Sequence, residues 1–198
     1  MARHIKSIKF TKDFRTNTDE VLFAKGQHID LIDGINLIVG DQGTGKSTLL
    51  NQIFKKSRQE NSAIDVEIGE GSFDMLYFDT ESMNPRQSRN ADPMSSAASK
   101  FMSHGQAMWE TANIIDDSKN LLIVIDEPES GLSIRSQHKL LDKMRKAVDR
   151  NCQFILATHS STIILSVSKV YCLEHKKWLS AYEFTVAQYS ELAFSAWK

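Results

Sequence analysis

Proline and cysteine are scarce in this chain, with three and two respectively in 198 residues. Cys152 and Cys172 lack CxxC spacing and fall on or beside expected strands, which excludes a disulfide scaffold or thiolate metal site in favour of two buried thiols. Neither sign of charge dominates: 24 Lys and Arg face 25 Asp and Glu, for a net charge of −1. That balance argues against a protein governed by nonspecific nucleic-acid attraction, although a local basic patch is compatible with a neutral total. Long apolar runs are missing too. The longest clean run, Leu121 to Ile125, is far too short to cross a bilayer, and the N-terminal stretch Met1 to Lys12 alternates basic and apolar residues without a continuous apolar segment. The expectation is a cytoplasmic protein with no membrane partner. There is no repeat and no low-complexity tract. With 41% hydrophobic residues, the composition fits one α/β domain over 1–198 with an adequate core.

Glycine is sparse as well, nine in all, yet three of the nine crowd into Gly40-Asp41-Gln42-Gly43-Thr44-Gly45-Lys46-Ser47-Thr48. This segment lies between an expected buried strand, Ile35 to Val39, and a helical pattern opening at Lys46. A glycine-rich backbone can turn its N–H groups inward around a polyphosphate, and the helix that follows adds its positive N-terminal end. Lys46 can reach the β- and γ-oxygens, and Ser47 offers a hydroxyl to Mg²⁺. The expected ligand is a nucleoside triphosphate with Mg²⁺.

Upstream, Ile5 to Phe10 shows an incomplete period-two alternation, and Val21 to Ala24 and His28 to Ile32 are short strands set off by Gly26 and Gly34. These predict an antiparallel edge layer. Ile35 to Val39, Met75 to Asp79, Leu121 to Ile125 and Phe154 to Thr158 are short apolar runs of the type that parallel, doubly covered strands require. Helices are expected over Lys46 to Lys56, Ala97 to Asp116 and Ile134 to Val148, the last with an apolar stripe of Ile134, Leu141, Met144 and Val148. The order strand, helix, strand predicts a right-handed parallel core. Met83 to Ser96, with Pro85 and Pro93 among Ser and Asn residues, is a loop or lid. Two basic clusters stand out. Lys55, Lys56 and Arg58 suit a helix C-terminus, while Arg3, His4, Lys6, Lys9, Lys12 and Arg15 form either a solvated strand face or a track for nucleic acid. Phe10, Phe14 and Phe23 are candidates for stacking on a base.

Leu121 to Ile125 leads directly into Asp126-Glu127, placing two carboxylates at the end of a buried strand where doubly wound sheets bind ligands. In such a Walker B pattern Asp126 is the metal residue, and Glu127 orients a water and takes its proton. Thr158-His159-Ser160 ends the next strand on the same sheet edge, so His159 can reach the γ-phosphate and the attacking water. Ser103-His104-Gly105-Gln106 begins a helical segment, where serine by itself means no more than an N-cap.

The set Gly40 to Ser47, Ser103 to Gln106, Leu121 to Pro128 and Thr158 to Ser160, in that order, resembles an ABC-class ATPase. Within the class it is similar to the small AAA-family ATPases near the RecF, SMC and OLD groups, most tellingly in Asp126 to Ser133 and Gln153 to Ser160. The resemblance covers roughly Ile35 to Tyr171. It implies a P-loop NTPase fold with a helical subdomain over roughly 80–118, and a signature loop in which Ser103, Gly105 and Gln106 contact the γ-phosphate held by a second copy. It thus implies ATP hydrolysis in an ATP-dependent homodimer. Two positions depart from the transporter pattern: His104 stands where glycine is usual and Ser133 where aspartate is usual. The metal-contacting glutamine has no obvious equivalent; Asp79 and Glu81 are the candidates, with Gln87 behind them. The process being switched is expected among nucleic-acid-related or phage-defence functions, with nucleic acid or a protein as partner. A transporter's nucleotide-binding subunit and a low-turnover regulatory module are the alternatives.

Overall fold

The computed structural model describes residues 4–15, 19–69, 74–79 and 104–195. The N-terminal part supplies strands β1 (Ile5–Phe10), β2 (Phe14–Arg15), β3 (Val21–Phe23), β4 (His28–Asp30) and β5 (Ile35–Val39), then helix α1 (Lys46–Ser57). Strands β6 (Ile64–Ile68) and β7 (Met75–Phe78) follow, then helix α2 (His104–Asp117), strand β8 (Leu122–Asp126), helix α3 (Ile134–Asp149) and strand β9 (Gln153–Ala157). The chain continues through the short helix α4 (Ser161–Ile164), the hairpin β10 (Lys169–Cys172) and β11 (Lys177–Ser180), and helix α5 (Ala181–Ser195).

Six strands make the central sheet in the order β11-β10-β5-β9-β8-β7. All its pairings are parallel except the β10–β11 hairpin. Every residue of β8 and β9 is buried, as strands covered on both faces must be. Alternation then divides them between two cores. Ile123, Ile125, Phe154 and Leu156 join Met108, Ala112 and Ile115 of α2 and Leu140, Leu141 and Met144 of α3. Leu122, Val124, Ile155 and Ala157 face Leu49, Leu50 and Ile53 of α1 and the antiparallel strands. The expected α/β fold with a mostly parallel core sheet and an antiparallel N-terminal β layer is therefore the observed one.

That layer differs in detail from the expectation. β1 pairs with β4 on one side and β6 on the other, while β2 and β3 form a separate ribbon. β6 was not foreseen, because Ile64-Asp65-Val66-Glu67-Ile68 alternates as an exposed edge strand does and carries no buried run. Its carboxylates answer the basic strand: Lys9 pairs with Asp65 in register, and Lys6 Nζ lies 4.0 Å from Glu67. This supports the solvated-face reading of Lys6 and Lys9. The hairpin β10–β11 and α5 were also not anticipated. In α3 the buried face is Gln137, Leu140, Leu141, Met144 and Ala147, and Ile134 is 66% exposed, because the first turn of the helix stands at the end of the sheet. The expected loop Met83 to Ser96 lies outside the described residues, as do 80–103 generally; the described helix α2 packs into the main core.

Buried polar side chains join the layers. Gln153, fully buried at the start of β9, accepts from the backbone N–H groups of His4 (3.0 Å) and Ile5 (2.8 Å) and donates to the carbonyls of Ile5 (3.0 Å) and Ile32 (3.2 Å). An isosteric apolar side chain removes all four bonds; the Ile32 carbonyl keeps the Asn36 amide at 2.9 Å, and each of the other groups that finds no new partner in a dry interior costs about 1–3 kcal/mol. Gln153→Leu should therefore lose about 3 kcal/mol or more, lowering Tm by roughly 6–12 °C in a chain of this size, as differential scanning calorimetry would read.

Candidate functional site

The carboxyl ends of β5, β8 and β9 lie side by side, in the register Ile38 beside Ala157 and Asp126 beside Ala157. Parallel pairing thus gathers three segments distant in sequence at one edge. The loop after β5 runs from Gly40 to Gly45 and enters α1 at Lys46. Gly40 has φ +152°, and a Cβ there would stand 2.9 Å from Thr44 Oγ1; Gly45 has φ +92°, and a Cβ would meet Phe14 Cε1 at 3.2 Å. Both turns require glycine, one for the tightness of the loop and the other for the aromatic side chain packed beneath it.

That aromatic support answers an earlier expectation. Phe10, Phe14 and Phe23 are all buried, with Phe10 and Phe23 stacked at 4.3 Å and Phe14 tilted against them. They form one buried cluster whose Phe14 lies under Gly45 of the glycine loop, so they are not free faces for a nucleotide base. Stacking candidates chosen by residue type alone cannot be separated from core aromatics.

Lys46 is only 7% exposed, and its ammonium donates to the carbonyls of Gly40 (2.9 Å) and Asp41 (2.7 Å). Burial pushes its pKa below the usual lysine value, opposed by the negative charges of Glu174, Asp126, Asp41 and Glu127. Glu174, in the β10–β11 turn, accepts the Asp41 N–H at 2.8 Å. Sequence reading missed this residue, because its role depends on β10 lying beside β5.

Asp126 ends β8, is 6% exposed and accepts a hydrogen bond from the Ser47 hydroxyl. Its carboxyl is raised to about 6, chiefly by burial; the Ser47 bond and Lys46 oppose the shift, while the charges of Glu127 and Asp79 add to it. Glu127 is exposed and adopts φ +49°, a left-handed conformation uncommon for a non-glycine residue. Its N–H donates to the Ala157 carbonyl at 2.9 Å, and its own carbonyl accepts from Ser130 at 3.0 Å, so both ends of the turn are held.

A cleft of about 330 Å³ opens between α1 and β7–β8, lined by Ser47, Thr48, Asp79, Asp126 and Glu127 and extended by Asn51, Gln52, Lys55 and Tyr77. It brings the expected metal and water-activating residues together, Asp79 among them. His159 is exposed at the end of β9, beside the Glu127 turn, but is not part of that lining. Gly105 and Gln106 fall in the first turn of α2. Ser103, Glu81 and Gln87 lie outside the described residues. Among the described residues no group of three or more His, Cys, Asp or Glu side chains is arranged to hold a metal by itself. The donor set nevertheless fits Mg²⁺, which favours one or two protein oxygens and completes its shell with phosphate and water. Ser47 and Asp126 would supply those oxygens.

A glycine loop opening a helix, its lysine folded into the loop, and a buried aspartate bonded to the following serine fit a P-loop fold of the kind found in AAA/ABC ATPases. A family model described as an AAA ATPase domain matches residues 102–164, the span from α2 to the end of α4. Among solved structures, a chain of a metal-chelate-type ABC transporter in an inward-facing conformation is similar, with a TM-score of 0.57 and 17% identity over 90% of this chain and 84% of that one. A search of curated proteins finds no match. The general activity to which the family match and fold point is ATP hydrolysis. Among the described residues no helix is long and apolar enough to cross a membrane.

The raised Asp126 carboxyl sets a pH dependence in the metal-free protein. Between about pH 4 and 6 the folded chain holds a proton that the unfolded chain has released, so stability falls as pH rises through that window. Asp126→Asn should therefore be more stable than wild type by roughly 2 kcal/mol at pH 7.5. The gain should fade to nothing near pH 4, as urea denaturation across the pH range would measure.

Proposed function

We propose that the protein hydrolyses MgATP at a site shared between two copies of the chain, and that the bound nucleotide switches the association of those copies. The observation carrying this reading is the buried Asp126 carboxylate, bonded to Ser47 at the mouth of the loop that holds Lys46. In this reading the amides from Asp41 to Thr48 bind the phosphates. Lys46 leaves its two loop carbonyls for the β- and γ-oxygens, and Ser47 and Asp126 hold Mg²⁺ with Asp79 or Glu81 beyond them. Bound Mg²⁺ supplies charge neutralisation of the phosphates and a fixed geometry for their transfer. Glu127 orients a water and accepts its proton, and His159 donates to the γ-phosphate. Ser103, Gly105 and Gln106 complete the site of the other copy. Similarity to the RecF, SMC and OLD groups supports a switch in a nucleic-acid-related or phage-defence process.

One observation favours a second reading, a nucleotide-binding subunit of a transporter: the similarity to a chain of an ABC transporter. At 17% identity that likeness is one of fold. The wording of Asp126 to Ser133, with serine ending the segment, favours the stand-alone switch.

Two experiments test the proposal. Lys46→Ala removes the mobile cation while leaving the amides in place; the affinity for MgATP should drop by about 100-fold or more in calorimetry, and an affinity within a few-fold of wild type sinks the nucleotide assignment. Glu127→Gln should bind ATP, fail to cleave it and accumulate as a dimer of twice the 22.4 kDa chain mass. Adding Ser103→Arg should return it to monomer with ATP still bound. Light scattering that finds Glu127→Gln monomeric with ATP rules out the shared site.

A further inference from the structure

The loop after β8 and the loop after β9 are tied by a carboxylate with no place in the reading above. Glu129, two residues beyond Glu127 and half-buried, accepts three hydrogen bonds: from the Thr158 hydroxyl at 2.7 Å, the His159 N–H at 2.8 Å and the Ser160 N–H at 3.1 Å. A second tie runs parallel to it. The Ser160 hydroxyl donates to Gln137 Oε1 at 2.6 Å, and Gln137 Nε2 donates to the Leu132 carbonyl at 3.2 Å. The Glu127 N–H to Ala157 carbonyl bond closes the set at the strand ends. Every residue from Thr158 to Ser160 is therefore held by a side chain or backbone belonging to the segment 127–137.

We propose that Glu129 is a positioning residue, fixing the backbone that carries His159 so that the imidazole addresses the phosphate and water that Glu127 serves. This rests on the reading that the chain hydrolyses ATP with those two residues. A carboxylate suits the task because it accepts only, and its two oxygens meet two amides and a hydroxyl with charge-assisted bonds. Glu127 in its left-handed turn and His159 on an exposed strand end are both side chains whose aim depends on the backbone beneath. Displacing either by an ångström is enough to lose most of its effect. Glu129 itself touches neither nucleotide nor water in this scheme.

The test uses Glu129→Ala, Glu129→Gln and His159→Ala, with the double variant Glu129→Ala/His159→Ala. Expected for Glu129→Ala is a fall in kcat on the order of 30-fold with MgATP affinity within threefold of wild type. Glutamine should rescue, since Oε1 can accept from both amides while Nε2 donates to the Thr158 hydroxyl. In the His159→Ala background, Glu129→Ala should cost little more, because its effect runs through the missing imidazole. Additive losses, an unrescued Glu129→Gln, or turnover near wild type in Glu129→Ala each overturn the proposal. Amide hydrogen exchange at His159 and Ser160, read by NMR without nucleotide, separates this from the hydrolysis reading: exchange should quicken about tenfold or more in Glu129→Ala, and unchanged protection overturns the anchoring even if wild type proves to have no ATPase activity, a result that would sink the hydrolysis reading alone.

Discussion

A lysine ammonium buried at the opening of a glycine loop is the interaction around which the edge of this molecule is arranged. Lys46 has lost most of its water, which lowers its pKa, and only the nearby carbonyls and the carboxylates Glu174, Asp126, Asp41 and Glu127 make its charge tolerable there. Those carboxylates come from three places in the chain: the glycine loop, the end of β8 and the β10–β11 turn. Phe14, packed with Phe10 and Phe23, holds the loop from below at Gly45. The β10–β11 turn brings Glu174 from one side, and β8 brings Asp126 from the other.

The opposite charge at the same edge carries the complementary strain. Asp126 is buried enough that its carboxyl is raised to about 6, and its Ser47 bond only partly offsets that burial. A divalent cation placed between serine and aspartate would relieve this cost, so the energy of holding an acid in a dry site would contribute to binding such an ion. Beyond it, Glu127 sits in an unfavourable backbone conformation whose ends are held by Ala157 and Ser130. Strain of this kind is kept where surrounding bonds over-determine it, and here they come from the neighbouring strand and from the Glu129 anchor.

Much of this was legible beforehand. Short apolar runs at Ile35, Leu121 and Phe154 announced buried parallel strands because strands covered on both faces cannot alternate, and all three were found within a residue of their expected bounds. Asp126, Glu127 and the glycine loop were readable since their spacing is set by local chemistry. Other features were hidden. β6 alternates like any solvated strand, so only its pairing with β1 distinguishes it from a loop. Ile134 matched the helical period but fell where the interior ends. The three phenylalanines near the loop were indistinguishable by type from ligand-stacking residues, and only their mutual packing shows them to be core.

The sequence by itself determined the elements whose code is local: the glycine loop, whose glycines permit backbone angles other residues resist, the helix that opens at its lysine, and the apolar strands that must be buried. It also determined that two acids follow one strand and a histidine the next. Only the tertiary structure decided which of these meet. Strand order and register put β5, β8, β9 and β10 side by side, so that Asp126 bonds Ser47, Glu174 reaches the loop and Glu129 holds the backbone of His159. The reason is that a partner across a sheet is chosen by the packing of whole faces, a quantity summed over many residues, whereas a turn or a cap is chosen by a few neighbours along the chain.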